Sequence, residues 1–327
     1  MRNLKLNRRQ KGLTLVELMV AMVLGLVLMA GVIQIYISTN QTYRLTEAQS
    51  RIQENGRFAL YLLTRDIRMA DFWGCLTTAG SIQNHLGSTT GIYDFSDGLT
   101  ATNDTGLNGS DTITLKGAFN SGIHLAQTMP TTSADLKVSD DSGLLENEIV
   151  LLSDCLQGEI FQITNDPGTG GAAGKDEVVH NTSGGGHVPG NATKIFQKKY
   201  NLNASVYKLG VKDYFIGTGV SGEPSLFITE SGVSSELVEG VENMQILYGV
   251  DTDGDFTPNY YVHAGLISAV DMEKIVSVKV SLLLHSMENN VTSNDLAVSY
   301  NGGTSAIANR RLGRVFSATI NIRNRMQ

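Results

Sequence analysis

Proline, cysteine and basic charge are all scarce along these 327 residues, and each shortage excludes something. Five prolines occur, none of them between residues 13 and 37, so the longest apolar run is free to form one unbroken helix. Two cysteines, Cys75 and Cys155, have no spacing that suggests a metal thiolate site. Lysine and arginine number 25 against 32 acids, a net charge of −7, which makes a poor general phosphate binder; no nucleic-acid partner is expected. Neither Gly-x-Ser-x-Gly nor His-Glu-x-x-His occurs, and catalysis is not indicated.

What the chain does have is concentrated at its start. Residues 13–37 carry no charge except Glu17, and as a helix they are long enough to cross a hydrocarbon layer about 30 Å thick. Arg2, Lys5, Arg8, Arg9 and Lys11 precede the run with no acid among them, which keeps the N-terminus cytoplasmic and exports everything after the span. An ordinary signal peptide has a shorter core and a small-residue cleavage site, and the exit at Gln34-Ile35-Tyr36-Ile37 offers neither. A plain anchor would gain nothing from Glu17, since an acid inside a membrane helix costs roughly 2.5 to 3.5 kcal/mol. A free α-amine would offset that cost: a cut between Gly12 and Leu13 puts an ammonium one turn from Glu17, where a neighbouring subunit's carboxylate could meet it.

Gly12-Leu13-Thr14-Leu15-Val16-Glu17 followed by a long apolar helix resembles the class III signal of type IV prepilins and the related pseudopilins. Residues 237–251, from Leu237-Val238-Glu239-Gly240-Val241 through Gln245-Ile246-Leu247-Tyr248 to Asp251, resemble the corresponding stretch of PilW-type minor pilins. So do residues 275–284 and the Arg-rich close around Asn321-Ile322-Arg323-Asn324-Arg325, together with Phe72-Trp73-Gly74-Cys75 and Ser153-Asp154-Cys155. The resemblance implies that a membrane-embedded prepilin peptidase cuts between Gly12 and Leu13 and N-methylates Leu13, and that Glu17 guides docking into a growing filament. It further implies a minor pilin that primes assembly at or near the tip, supporting adhesion and twitching. Its expected partners are other minor pilins, the major pilin, the inner-membrane assembly platform and a tip adhesin. The chain would sit in the inner membrane with its C-terminal head in the periplasm, and later in a surface pilus. The other class is secretory: a pseudopilin of a type II secretion system. The proline often found partway along a pilin helix is missing, leaving Gly25, Gly31 and Gln34 as its weak points.

The expected fold class is α+β, a long N-terminal membrane-spanning, pilin-like helix with a mostly antiparallel β head. Residues 1–12 read as a cleaved leader, and 13–71 as the helix, membrane-spanning over 13–37 and amphipathic over 38–71. Residues 72–327 read as the exported head. Removing the five leader cations leaves 20 basic against 32 acidic residues, or −12. In the upper helix Leu45, Ala48, Ile52, Ala59, Leu63, Ile67 and Ala70 recur at steps of three or four, with one turn skipped near Gly56. Beyond Cys75, short β-branched runs at 111–115, 148–152, 159–164, 225–229, 275–284 and 316–322 alternate with turn residues. Residues 165–191, rich in glycine, read as a surface excursion.

Both cysteines lie on the exported side, where an oxidising compartment predicts one disulfide closing a loop of about 80 residues; two buried free thiols are the other reading. Asp251, Asp253 and Asp255 stand at alternate positions, with Thr257 and Asn259 continuing the spacing, and hard oxygen donors so placed can wrap calcium. An acidic turn helped by Gly254 explains them equally. Gly168-x-Gly170-x-x-Ala173 imitates a dinucleotide fingerprint without a following helix, and Gly174-Lys175 lacks the rest of a phosphate loop. His180 and His187 share the glycine-rich segment without an acid beside them.

Overall fold

The computed structural model describes residues 12, 14–76, 79–118, 122–170, 175–182, 186–268 and 270–326. Leu13, and with it the expected methylation site, lies outside the described residues, as does the leader before Gly12. One helix runs from Leu15 to Met69, 55 residues or roughly 82 Å at 1.5 Å per residue. It passes Gly25, Gly31 and Gln34 without a break. It ends where the backbone is claimed by the head: Ala70 turns extended, Asp71 takes φ 61°, and the Asp71 N–H donates to the Lys116 carbonyl at 3.0 Å.

The helix divides sharply along its length. Residues 14–46 are all exposed, and burial begins at Ala48. From there Ala48, Ile52, Ala59, Leu63 and Ile67 form the dry face, as their spacing predicts; Leu45 stays 38% exposed because the helix enters the head one turn above it. The skipped turn has a physical explanation. Gly56 is buried against the ring of Phe316, and a Cβ at position 56 would stand 2.5 Å from that ring. A collar marks the entry point: Arg44 donates to the Asn289 carbonyl at 3.0 Å, and Arg51 bridges Glu47 and Glu288 at 2.8 and 3.3 Å.

The helix lies on a four-stranded antiparallel sheet whose order is Tyr260–Val262, Val241–Val250, Ile275–His285, Gly313–Asn321. Alternate residues of the two central strands, such as Met244, Ile246 and Tyr248 with Val278, Val280 and Leu282, join the helix face in one core. A nine-stranded sheet covers the same core from another side, with Tyr214, Ile216, Leu226 and Ile228 pointing in. It is organised by the 14-residue strand Ser205–Thr218, which pairs with Ile149–Ser153 and Ile123–His124 over its first half and with Thr112–Ala118 and Pro224–Glu230 over its second. Its pairings are antiparallel except for Ile82–Asn84, which runs parallel to Gly158–Gln162. The fold is thus α+β with a mostly antiparallel head.

Two of the three smaller cores among the described residues make up most of the rest of the head. Trp73, Leu76, Phe95, Leu151, Ile160 and Tyr207 form one of them, and beside it Cys75 and Cys155, both exposed, are joined with Cα atoms 4.8 Å apart. The other gathers Phe161, Phe196, Tyr200 and Val206, and it corrects the reading of 165–191 as a mere surface excursion. Lys175–Val178 pairs with Leu136–Ser139, and His180 is buried with its ring stacked on Phe196 at 4.3 Å. Asn191 is buried too, its amide bonded to the Gln162 backbone in both directions.

Replacing Gly56 by leucine should lower the melting temperature of the purified chain, with a loss of about 2 kcal/mol typical of an overpacked core. Adding Phe316→Ala to the same chain should restore part of that loss. A Gly56→Leu chain that melts like the parent would show that the helix does not seat on Phe316.

Candidate assembly interface

The start of the helix is built by a reciprocal cap. Thr14 is extended, with φ −79° and ψ 154°, and its hydroxyl accepts from the Glu17 N–H at 3.3 Å. Glu17 Oε2 in turn accepts from the Thr14 N–H at 2.9 Å and from its hydroxyl at 3.0 Å. This capping box satisfies two of the donors that a helix start leaves open. Sequence reasoning assigned Glu17 to docking and missed its local duty, although Thr14-x-x-Glu17 is the spacing that announces such a cap. Both bonds use Oε2, and Oε1 receives none among the described residues, so the carboxylate still has a free face. Around Gly12 none of the described residues approaches within 4 Å of where a Cβ would lie, so no packing among them demands a glycine there.

The upper end of the helix is fixed by charge. Asp66 is 3% exposed on the buried face, and its carboxylate takes Arg65 Nε at 2.7 Å, Lys212 Nζ at 2.8 Å and the Tyr214 hydroxyl at 2.7 Å. Lys212 also reaches Glu230 at 3.0 Å. Burial alone would raise the Asp66 pKa, but hydrogen bonds from Arg65, Lys212 and Tyr214 outweigh it and hold the carboxyl below its usual range. Past the helix end Asp71 pairs with Arg325 at 2.5 Å and accepts from the Trp73 indole at 2.7 Å, joining the start of the head to its last turn.

The structure brings Asp251, Asp253 and Asp255 together, with one oxygen from each within 4.8 Å of the others. Asn259 is tied into the same loop: its Oδ1 accepts from the Thr252 N–H and hydroxyl at 2.6 and 3.0 Å, and its Nδ2 donates to the Asp253 carboxylate at 3.2 Å. Asp251 Oδ1 accepts from the Asp253 and Gly254 N–H groups at 3.1 and 2.7 Å, and Oδ2 accepts from Phe256 N–H at 2.8 Å. The oxygen donors are of the hard kind that calcium takes, while the backbone N–H groups already offset part of their charge. The two histidines are separate. His180 is sealed beside Phe161 and Phe196, where burial pushes its pKa down to about 4, and His187 bonds Asn147 Oδ1 at 2.7 Å.

Residues 213–324 match the family model described as Type IV Pilus-assembly protein W, and residues 7–33 match the Prokaryotic N-terminal methylation motif. Over 61 residues, 19% of this chain, the sequence is 36% identical to a Pilin-like protein PilA3 of Thermus thermophilus. That match spans about a quarter, 26%, of the relative's length. No solved structure matches.

Stability of the clasp should fall on acidification. A carboxyl whose folded pKa is depressed contributes stability above its unfolded value, about 4 for aspartate, and loses it as pH drops through the folded value. Asp66→Asn should therefore cost on the order of 3 kcal/mol at neutral pH, by leaving Lys212 without its buried partner, and should flatten the acid limb of the stability curve. Chemical denaturation at neutral and acid pH tests this; an unchanged acid limb would show that Asp66 does not carry it.

Proposed function

A PilW-type domain behind a prepilin methylation motif makes this chain a type IV pilin of the PilW type, and on that premise we propose that it serves as a minor pilin priming pilus assembly at or near the tip. The observation that carries the proposal is the half-clasped helix. Its upper part is held by the head, while its apolar lower part, long enough to cross a membrane, has no buried residue among those described. A surface of that kind needs lipid before assembly and neighbouring helices after it. Cleavage between Gly12 and Leu13 by a prepilin peptidase, methylation of Leu13, a periplasmic head and later display on a surface pilus complete the reading. The head then works beside other minor pilins, the major pilin and the assembly platform, carrying a tip adhesin and supporting twitching.

Glu17 has a double part in this scheme. Oε2 closes the capping box, and Oε1 remains for the α-ammonium of a neighbouring subunit. Glu17→Ala should leave cleavage intact and reduce the amount of the chain in sheared pili, whereas Gly12→Val should block processing and hold the precursor in the membrane. Normal incorporation of the Glu17 variant would remove the docking role. Deleting the gene separates this reading from a type II secretion pseudopilin: loss of surface pili and twitching with secretion intact supports the pilus, and the reverse outcome sinks it.

Calcium at Asp251, Asp253 and Asp255 is a second reading, favoured by the three carboxylates meeting within 4.8 Å. It is tested by hydrogen exchange of residues 251–259, which should slow in excess calcium and return with chelator; identical exchange in both would count against the site.

A further inference from the structure

Cations in this acidic chain are mostly spoken for, and the exceptions among its arginines are not scattered. Arg51, Arg65, Arg311 and Arg325 hold carboxylates, Arg44 and Arg310 donate to neutral groups, and Arg314 lies over the Phe316 ring. Arg57, Arg68 and Arg323 are left with no hydrogen bond or ion pair among the described residues. Arg57 and Arg68 project from the exposed side of the upper helix, and Arg323 follows the closing strand beside it. Arg68 and Arg323 border an open groove of about 910 Å³ whose apolar lining includes Tyr61, Met69 and Met326. Tyr61 is 62% exposed there.

Chemistry that fits this groove stands at the other edge of the same sheet. The loop before Tyr260–Val262 carries Asp253 and Asp255, both exposed and without a cation among the described residues. Phe256 and Tyr260 beside them are each 44% exposed. In the sheet order the strand Tyr260–Val262 is one edge and Gly313–Asn321, next to the groove, is the other. Both features sit at the same end: Val250 pairs with Ile275, and Asn321 with Ser277 two residues on. Across three strand spacings, roughly 14 Å, the head thus changes from acidic with exposed aromatics to basic with an apolar groove.

We infer that the groove at Tyr61, Arg68 and Arg323 receives the Asp253-Gly254-Asp255-Phe256 loop of a second copy of this chain. Phe256 enters against Tyr61 and Met69, and the two carboxylates meet the two guanidiniums, a contact that excludes calcium from the same oxygens. Contact between unlike edges is heterologous, so it joins two copies in line rather than as a two-fold pair. Nucleic acid is the weaker occupant of such a groove, because two or three unpaired arginines in a chain of net charge −7 neutralise few phosphates. The inference deepens the filament reading, yet the contact itself can be tested without a filament.

Full-length chain in detergent is prepared as two single variants, Tyr61→Cys and Phe256→Cys, the native cysteines being already joined to each other. On oxidation the mixture should give a disulfide dimer that neither variant gives alone. Arg68→Glu with Arg323→Glu on the first variant should cut the yield at least tenfold, and Asp253→Arg with Asp255→Arg on the second should restore it. A dimer of Tyr61→Cys with itself, a yield indifferent to charge reversal, or no dimer from folded chains would each overturn the inference. Capture of a different subunit by Tyr61→Cys in cells would overturn it as well. Absence of the unmodified chain from sheared pili would instead sink the filament reading and leave the cross-link standing.

Discussion

Three groups from two places in the sequence converge on the carboxylate of Asp66, and the seating of the long helix depends on that meeting. Lys212 and Tyr214 lie two residues apart on the longest strand, so both side chains reach the same face of the helix, and Arg65 closes the pocket from the helix itself. A greasy stripe alone would let the helix slide or roll over the sheet with little penalty. A buried carboxylate with directional partners admits one rotation and one height. Gly56 against Phe316, nearly three turns below, then sets how closely the axis approaches.

With the helix placed, the rest of the head follows from what must be covered. The four-stranded sheet supplies one wall, the second half of Ser205–Thr218 with its neighbours supplies another, and the first half of that strand leaves the helix to build the cores beyond. One strand therefore serves three hydrophobic interiors. It carries Lys208, Lys212 and Asp213 along its length, each balanced across the fold by Glu148, Asp66 or Thr114.

That strand also shows why sequence reading stops where it does. The lower helix, its amphipathic continuation and the strand at 275–284 are legible because their apolar periods are locally complete. Ser205–Thr218 is not, since two lysines and an aspartate interrupt the alternation and their partners Glu148, Asp66 and Thr114 lie 60 to 146 residues away in the chain. The skipped turn at Gly56 is visible as a gap, but the ring that fills it comes from position 316. At the candidate interface the fault was of a different kind. Thr14-x-x-Glu17 is a full local signal for the cap, and the carboxylate that makes it also stands in an apolar run, where its charge is the more conspicuous property. The Asp251 cluster was readable as a group of acids, while the backbone N–H groups that support it emerge only once the loop is closed.

The disulfide bears on how the molecule answers a pull. Cys75 follows the helix end at Met69 by only six residues, and its partner lies 80 residues further along. Tension entering through the helix can therefore cross from Cys75 to Cys155 through the sulfur bridge instead of along the intervening backbone. The strands between them, including Thr112–Ala118 and Ile149–Ser153, are bypassed by the load and cannot be drawn out as slack. A tether dragged against flow would gain no length from that third of the head.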